Sequence, residues 1–211
     1  MKAKPAAVPV IGVAFVVALA LAAAVLAIVG SDSRGIGMAL RVTARWSFLW
    51  FWMAYAGGAT AALFGPALAP LAHRGREFGL AFAAAQLVHV GLVVWLYQVS
   101  GHVPLSGSLF VFVFFTIGIV WTYLLAALSF GGLSRALGPQ LWRLLRVLGM
   151  NYILLAFARD FLPPVIRSGI AHQEFWQSVS YVPFAAMSVA APLLCLAAAV
   201  QRRRGMRHAT A

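Results

Sequence analysis

The chain has 211 residues, of which 63% are hydrophobic and only 9% charged. No soluble domain of that size needs so much apolar surface, so the composition places the chain in a membrane and leaves no room for a separate soluble catalytic domain. The net charge of +12 would suit nucleic acid if it were clustered on one face, but it falls between apolar runs, where it reports topology and contact with anionic lipid.

Residues 5–31, 46–72, 78–101, 103–134 and 175–201 carry no charged side chain, and each run exceeds the roughly 20 residues that a spanning helix needs. A sixth span over about 141–162 is interrupted by Arg143, Arg146, Arg159 and Asp160. Period-2 alternation is absent, which argues against a membrane barrel. The reading is an all-α integral membrane protein, a single transmembrane domain over 1–211. Its helices are expected near 6–30, 45–68, 78–99, 107–129, 141–162 and 177–200. With the N-terminus in the cytoplasm, Lys2, Lys4, Arg74, Arg76, Arg135, Arg143, Arg146, Arg202, Arg203, Arg204 and Arg207 fall inside, and Arg34, Arg41, Arg45, Arg159 and Arg167 outside. Eleven against five follows the positive-inside rule with both termini cytoplasmic.

The first run starts after Lys2 and Lys4 and is longer than the apolar core of a signal peptide, so it reads as a retained helix. Ala18 with Ala22, and Ala20 with Ala24, are small pairs four apart that permit close helix packing. Residues 31–45 read as an outer loop, with a turn or cap at Ser31-Asp32-Ser33 and breaks at Gly35 and Gly37. Trp46, Trp50 and Trp52 crowd the outer end of the second span, either as interfacial anchors or stacked on a planar cofactor. Gly57-Gly58 marks a tight contact or a bend, and Pro66 and Pro70 end the span.

After His73, Arg74 and Arg76, the third span runs without charge from Phe78 to Gly101 and holds His89 near its middle. The imidazole lies about 16 Å from either end at 1.5 Å per residue, a depth at which ionisable groups usually mark a site. Ala85 leaves room beside it and Gln86 is placed to hydrogen-bond with it. Three roles are open: a neutral histidine satisfied by a polar neighbour, a haem axial ligand, or a proton relay. The loop from Ser100 to Ser108 is short, with His102 its one titratable group. The fourth span is rich in phenylalanine; Phe110, Phe112, Phe114 and Phe115 face lipid or core. Gly131-Gly132 and Gly138-Pro139 bracket a second basic inner loop.

The fifth span is irregular. Twelve uncharged residues separate Arg146 from Arg159, about 18 Å of helix against a hydrocarbon core of about 30 Å. The two guanidinium groups either snorkel to the interfaces or bind an anionic group such as a lipid head, a quinone oxygen or a propionate. They point about 140° apart on a straight helix, so one small ligand does not meet both. Asn151 adds a polar group. Pro163-Pro164 are expected to stop this helix, and the following loop holds His172, Glu174 and Trp176. The sixth span contains the lone Cys195, read as a packed thiol, and ends in Arg202-Arg203-Arg204. The acids are Asp32, Glu77, Asp160 and Glu174, all at or near loops, and no paired-carboxylate site, phosphate-cradling loop or Cys/His metal spacing occurs.

Thr43-x-Arg45 at the second span, Arg76-x-x-Gly79 opening the third, His89 ten residues after that glycine, and Leu137-Gly138 with Trp142 before the fifth form an ordered set over roughly residues 43–160. In order and spacing they resemble the ferric-reductase-like transmembrane family, and within it the haem-binding membrane subunits of methionine sulfoxide reductase systems. The resemblance implies a six-helix bundle that holds b-type haem and passes electrons from a cytoplasmic or quinone donor to a redox partner subunit. In that family one histidine on helix three and two on helix five, thirteen apart, hold the haem. His89 occupies the first of these positions and Arg146 and Arg159 the other two. Arginine stays protonated and offers no lone pair to iron. The expectation is therefore a divergent member: haem b on His89 as the sole axial ligand or with a substitute, or a haem-less membrane interaction, assembly or lipid-binding protein.

Overall fold

A computed structural model describes residues 7–100, 109–130, 137–167 and 175–209. Lys2, Lys4, His102, Gly131, Gly132, Arg135, His172 and Glu174 lie outside the described residues, as do the side chains of Arg167, Trp176 and Arg207. The described chain is helical throughout its regular elements: α1 (Ala7–Val29), α2 (Ser33–Phe64), a 3₁₀ turn at Pro66–Leu68, a short α3 (Ala69–His73), α4 (Gly75–Ser100), α5 (Leu109–Ser129), α6 (Gly138–Arg167) and α7 (Phe175–Ala209). Among the described residues, five segments are long and apolar enough to cross a membrane: Val8–Val29, Gly75–Ser100, Leu109–Ser129, Gly138–Ile166 and Val179–Arg204. The chain is thus an all-α, multi-pass membrane protein. Its α2, expected as a sixth span, is long enough at 32 residues. Three arginines in its first half and the Trp, Tyr and Gly residues of its second keep it out of that set.

The chain forms two compact units, Met1–Trp50 with Glu77–Ala156, and Phe51–Arg76 with Phe157–Ala211. In the first, α1 is seated by an alanine stripe. Ala14, Ala18 and Ala22 recur every fourth residue and are buried, whereas Val13, Val16 and Leu19 are exposed. Ala14 and Ala18 cluster with Ala81 and Ala85 of α4, and Ala22 with Ile36, Ala39 and Leu92. Side chains this small let backbones approach closely, and van der Waals contact then replaces lipid contact. The Trp46 indole N–H reaches the Ala14 carbonyl at 2.9 Å, adding a polar tie where the backbones are near. Of the two alanine pairs expected to pack, Ala18–Ala22 does so, while Ala20 and Ala24 are exposed.

Residues 33–45 are helix, not outer loop, so α2 starts a dozen residues earlier than expected. The cause is local: the Asp32 carboxylate accepts the Gly35 N–H at 2.8 Å, an N-cap that satisfies one of the orphan amides of the first turn. A Cβ at Gly35 would overlap the Gly30 carbonyl oxygen, so that glycine admits the sharp entry instead of breaking the helix. At the other end Gly65 takes φ +101 and Pro66 opens the 3₁₀ turn, which ends the helix as expected.

α5 and α6 meet within the first unit through small residues against aromatics. Gly118 faces Tyr152 and Ala156, and a Cβ on Gly149 would come within 2.7 Å of the Trp121 ring. The Tyr152 hydroxyl donates to the Phe114 carbonyl at 3.0 Å, with the two rings 5.2 Å apart. Phe114 is therefore packed, while Phe110 is 69% exposed and lies on the outer face.

The second unit is built on aromatic packing. Phe51 meets Phe157 at 5.5 Å, Phe157 meets Phe161 at 5.8 Å, and Phe161 meets Phe184 at 5.5 Å. The Trp52 N–H donates to the Met187 carbonyl at 3.1 Å and the Cys195 thiol lies 3.8 Å from the Tyr55 carbonyl, so α2 and α7 are tied twice. Gly57 lies against Leu71, where a Cβ would sit 3.2 Å away; the expected tight contact is there. Pro163 and Pro164 do not stop α6, which continues to Arg167. Each proline removes one intrahelical bond, from the Arg159 and Asp160 carbonyls, but its fixed φ is compatible with helix. Both of those residues are exposed, where water or headgroups can satisfy the carbonyls.

Candidate site around His89

Thr43 of α2 is completely buried and sits opposite His89 of α4. Its Oγ1 lies 3.2 Å from the His89 Nδ1. The same hydroxyl lies 2.9 Å from the Ala39 carbonyl and 3.2 Å from that of Leu40. A threonine hydroxyl has one proton. When that proton goes to the Ala39 carbonyl, the nearer of the two, Oγ1 accepts from a protonated Nδ1 and Nε2 keeps the lone pair; when it goes to His89, Nδ1 is the acceptor and Nε2 carries the ring proton.

The ring thus turns toward its neighbouring helix and not toward lipid. Thr43 is a polar neighbour for the imidazole, and it is supplied by another helix. Gln86, expected to pair with the imidazole from one turn away, has its Oε1 buried without a hydrogen-bond partner. The space beside Ala85 is also used differently than expected. Ala85 is fully buried against Ala14 and Ala18, with Trp46, Trp50 and Val88 around them, so α1 fills it. Trp46 and Trp52 act as interhelix ties through their indole N–H groups, whereas the Trp50 N–H is buried with no acceptor; Trp50 packs edge-on to Trp46 at 5.5 Å.

Arg146 and Arg159 are both exposed, and they belong to different compact units. Neither can ligate iron, and among the described residues no three His, Cys, Asp or Glu side chains gather to hold a metal ion. These residues do not fit the two-imidazole haem cradle that the resemblance implies. What the structure gives His89 is one hydrogen-bonded ring nitrogen, Nδ1, held by Thr43.

In the sequence Thr43 is part of the Thr43-x-Arg45 motif, a lone hydroxyl two residues before Arg45, and nothing in the local pattern links it to position 89. Compared with known proteins, the chain matches no family model, no curated protein and no solved structure.

Proposed function

We propose that this chain is a multi-pass protein of a bacterial-type inner membrane, built on the ferric-reductase-like plan but working without that family's two-imidazole haem. In this reading it is a membrane interaction, assembly or lipid-binding bundle. α2 is the sixth span and both termini are cytoplasmic, following the eleven-to-five distribution of basic residues. The observation that carries the reading is the exposure of Arg146 and Arg159. At the positions where the family places its helix-five imidazoles, this chain presents guanidinium groups to its surroundings, which suits snorkelling or contact with lipid phosphate.

A second reading is favoured by the Thr43–His89 pair. With the ring proton on Nδ1, the Nε2 lone pair is an axial donor, and haem b held there would supply one-electron transfer between a quinone and a redox partner subunit. The ultraviolet–visible spectrum of protein purified after haem-replete expression separates the two. The haem-less reading expects no Soret band. A Soret band in the native protein that disappears in His89→Ala would overturn it in favour of the second.

A further inference from the structure

The last turns of α7 carry a stripe that the packing of the helix does not use. Leu193, Leu196, Ala197, Val200, Gln201 and Arg204 line one shallow groove of about 440 Å³. Their spacing is i, i+3, i+4, i+7, i+8 and i+11, one face of a helix. Leu193 is 59% exposed and Leu196 63%. The other side of α7 is the packed one: Ala191 and Ala198 are completely buried, and Cys195 is tied to the Tyr55 carbonyl.

The stripe changes chemistry along its length. Its first four positions are aliphatic. Its last two offer an amide and a guanidinium. From Leu193 to Arg204 the rise is about 16 Å at 1.5 Å per residue, about half of a 30 Å hydrocarbon core, or one leaflet. Arg202 and Arg203 flank the polar end and are exposed, and no acidic residue follows Glu174 in the chain. That end therefore selects for negative charge. Copies of a membrane protein share one orientation, so a two-fold pairing through this face would set Arg204 beside Arg204, and like charge opposes it.

Resting on the lipid-binding form of the function proposed above, we infer that this face of α7 is a binding site for one anionic phospholipid of the phosphatidylglycerol type. An acyl chain lies along Leu193, Leu196 and Val200. The phosphodiester is met by Arg204 and Gln201, the guanidinium donating two N–H groups to phosphate oxygens.

The test is native mass spectrometry of the full chain released from detergent with equal amounts of phosphatidylglycerol and phosphatidylcholine of identical acyl chains. The expected result is one phosphatidylglycerol retained per chain, in preference to phosphatidylcholine. Arg204→Gln should weaken retention about tenfold, the worth of a lost charge-assisted hydrogen bond. Arg202→Gln, which points to the other side of the helix, should change it less than about twofold, as expected for a charge that makes no direct bond to the lipid. Soluble glycerophosphate should not displace the lipid. Equal retention of the two lipids, equal loss in both arginine variants, displacement by glycerophosphate, or a lipid-free dimer would each overturn the site. A Soret band in the same preparation would retire the haem-less function but leave these retention values unchanged, so the two failures are distinguishable.

Discussion

At the scale of single residues, the decisive group is the Thr43 hydroxyl. In the low-dielectric interior a ring nitrogen without a hydrogen-bond partner costs about 1–3 kcal/mol, and Thr43 Oγ1 at 3.2 Å supplies one for His89. Thr43→Val keeps the side-chain shape and removes the hydroxyl. It should therefore lower stability by about 1–3 kcal/mol, read as a drop in Tm in detergent, while Thr43→Ser should remain near the native value. Equal melting of the Val and native proteins would show that the contact carries no stability. Gln86 illustrates how little local spacing decides here. It lies one turn from His89 on the same helix, yet its carbonyl oxygen is buried with no partner, and the contact with Nδ1 came from a residue 46 positions away.

At the scale of elements, packing depends on side chains too small to produce a hydrophobic signal. The face of α1 that enters the first unit is alanine, and its larger residues point outward, the reverse of the pattern in a soluble amphipathic helix. Ala18→Leu should force α1 away from Ala81 and Ala85, costing about 1–3 kcal/mol by overpacking. Leu19→Ala on the exposed face should be close to neutral, and the same detergent melts compare them. If Ala18→Leu melted at the native temperature, the stripe would not be a close contact. The early start of α2 belongs to this scale too. Read in sequence, Gly35 and Gly37 break a helix; in three dimensions Gly35 is what lets the chain pass the Gly30 carbonyl into a helix capped by Asp32. Glycine's meaning depends on what lies opposite it, and the local pattern does not contain that.

At the scale of the whole molecule, the distribution of charge makes a topological prediction. Both termini are expected in the cytoplasm, which needs an even number of crossings and hence α2 as a span. A C-terminal fusion to a fluorescent protein that folds only in the cytoplasm should glow, and a fusion to a phosphatase active only in the periplasm should be silent. The opposite pattern would overturn the cytoplasmic placement of the C-terminus; with the N-terminus shown to be cytoplasmic by the same pair of fusions, it would mean that α2 does not cross. α2 is the one element for which hydropathy alone does not settle this, because its tryptophans and Tyr55 lower the mean while Trp46 and Trp52 bond to the Ala14 and Met187 carbonyls. Indoles that satisfy themselves on backbone carbonyls of other helices are cheaper to bury than their transfer values imply.

The amino-acid order by itself determined the solvent in which this chain folds, the helical class and five of its long helices. These follow from sums over neighbouring residues: a run of some 20 uncharged side chains is costly in water and stable in lipid whatever else the chain does. It also located His89 at mid-span and showed that Arg146 and Arg159 cannot be iron ligands, since that is fixed by the chemistry of the side chain. Only the tertiary structure decided what His89 bonds to, that α1 fills the space beside Ala85, and which tryptophans tie helices together. Each of those is a contact between residues far apart in sequence, and the choice of partner is made by the packing of whole helices, to which no local window has access.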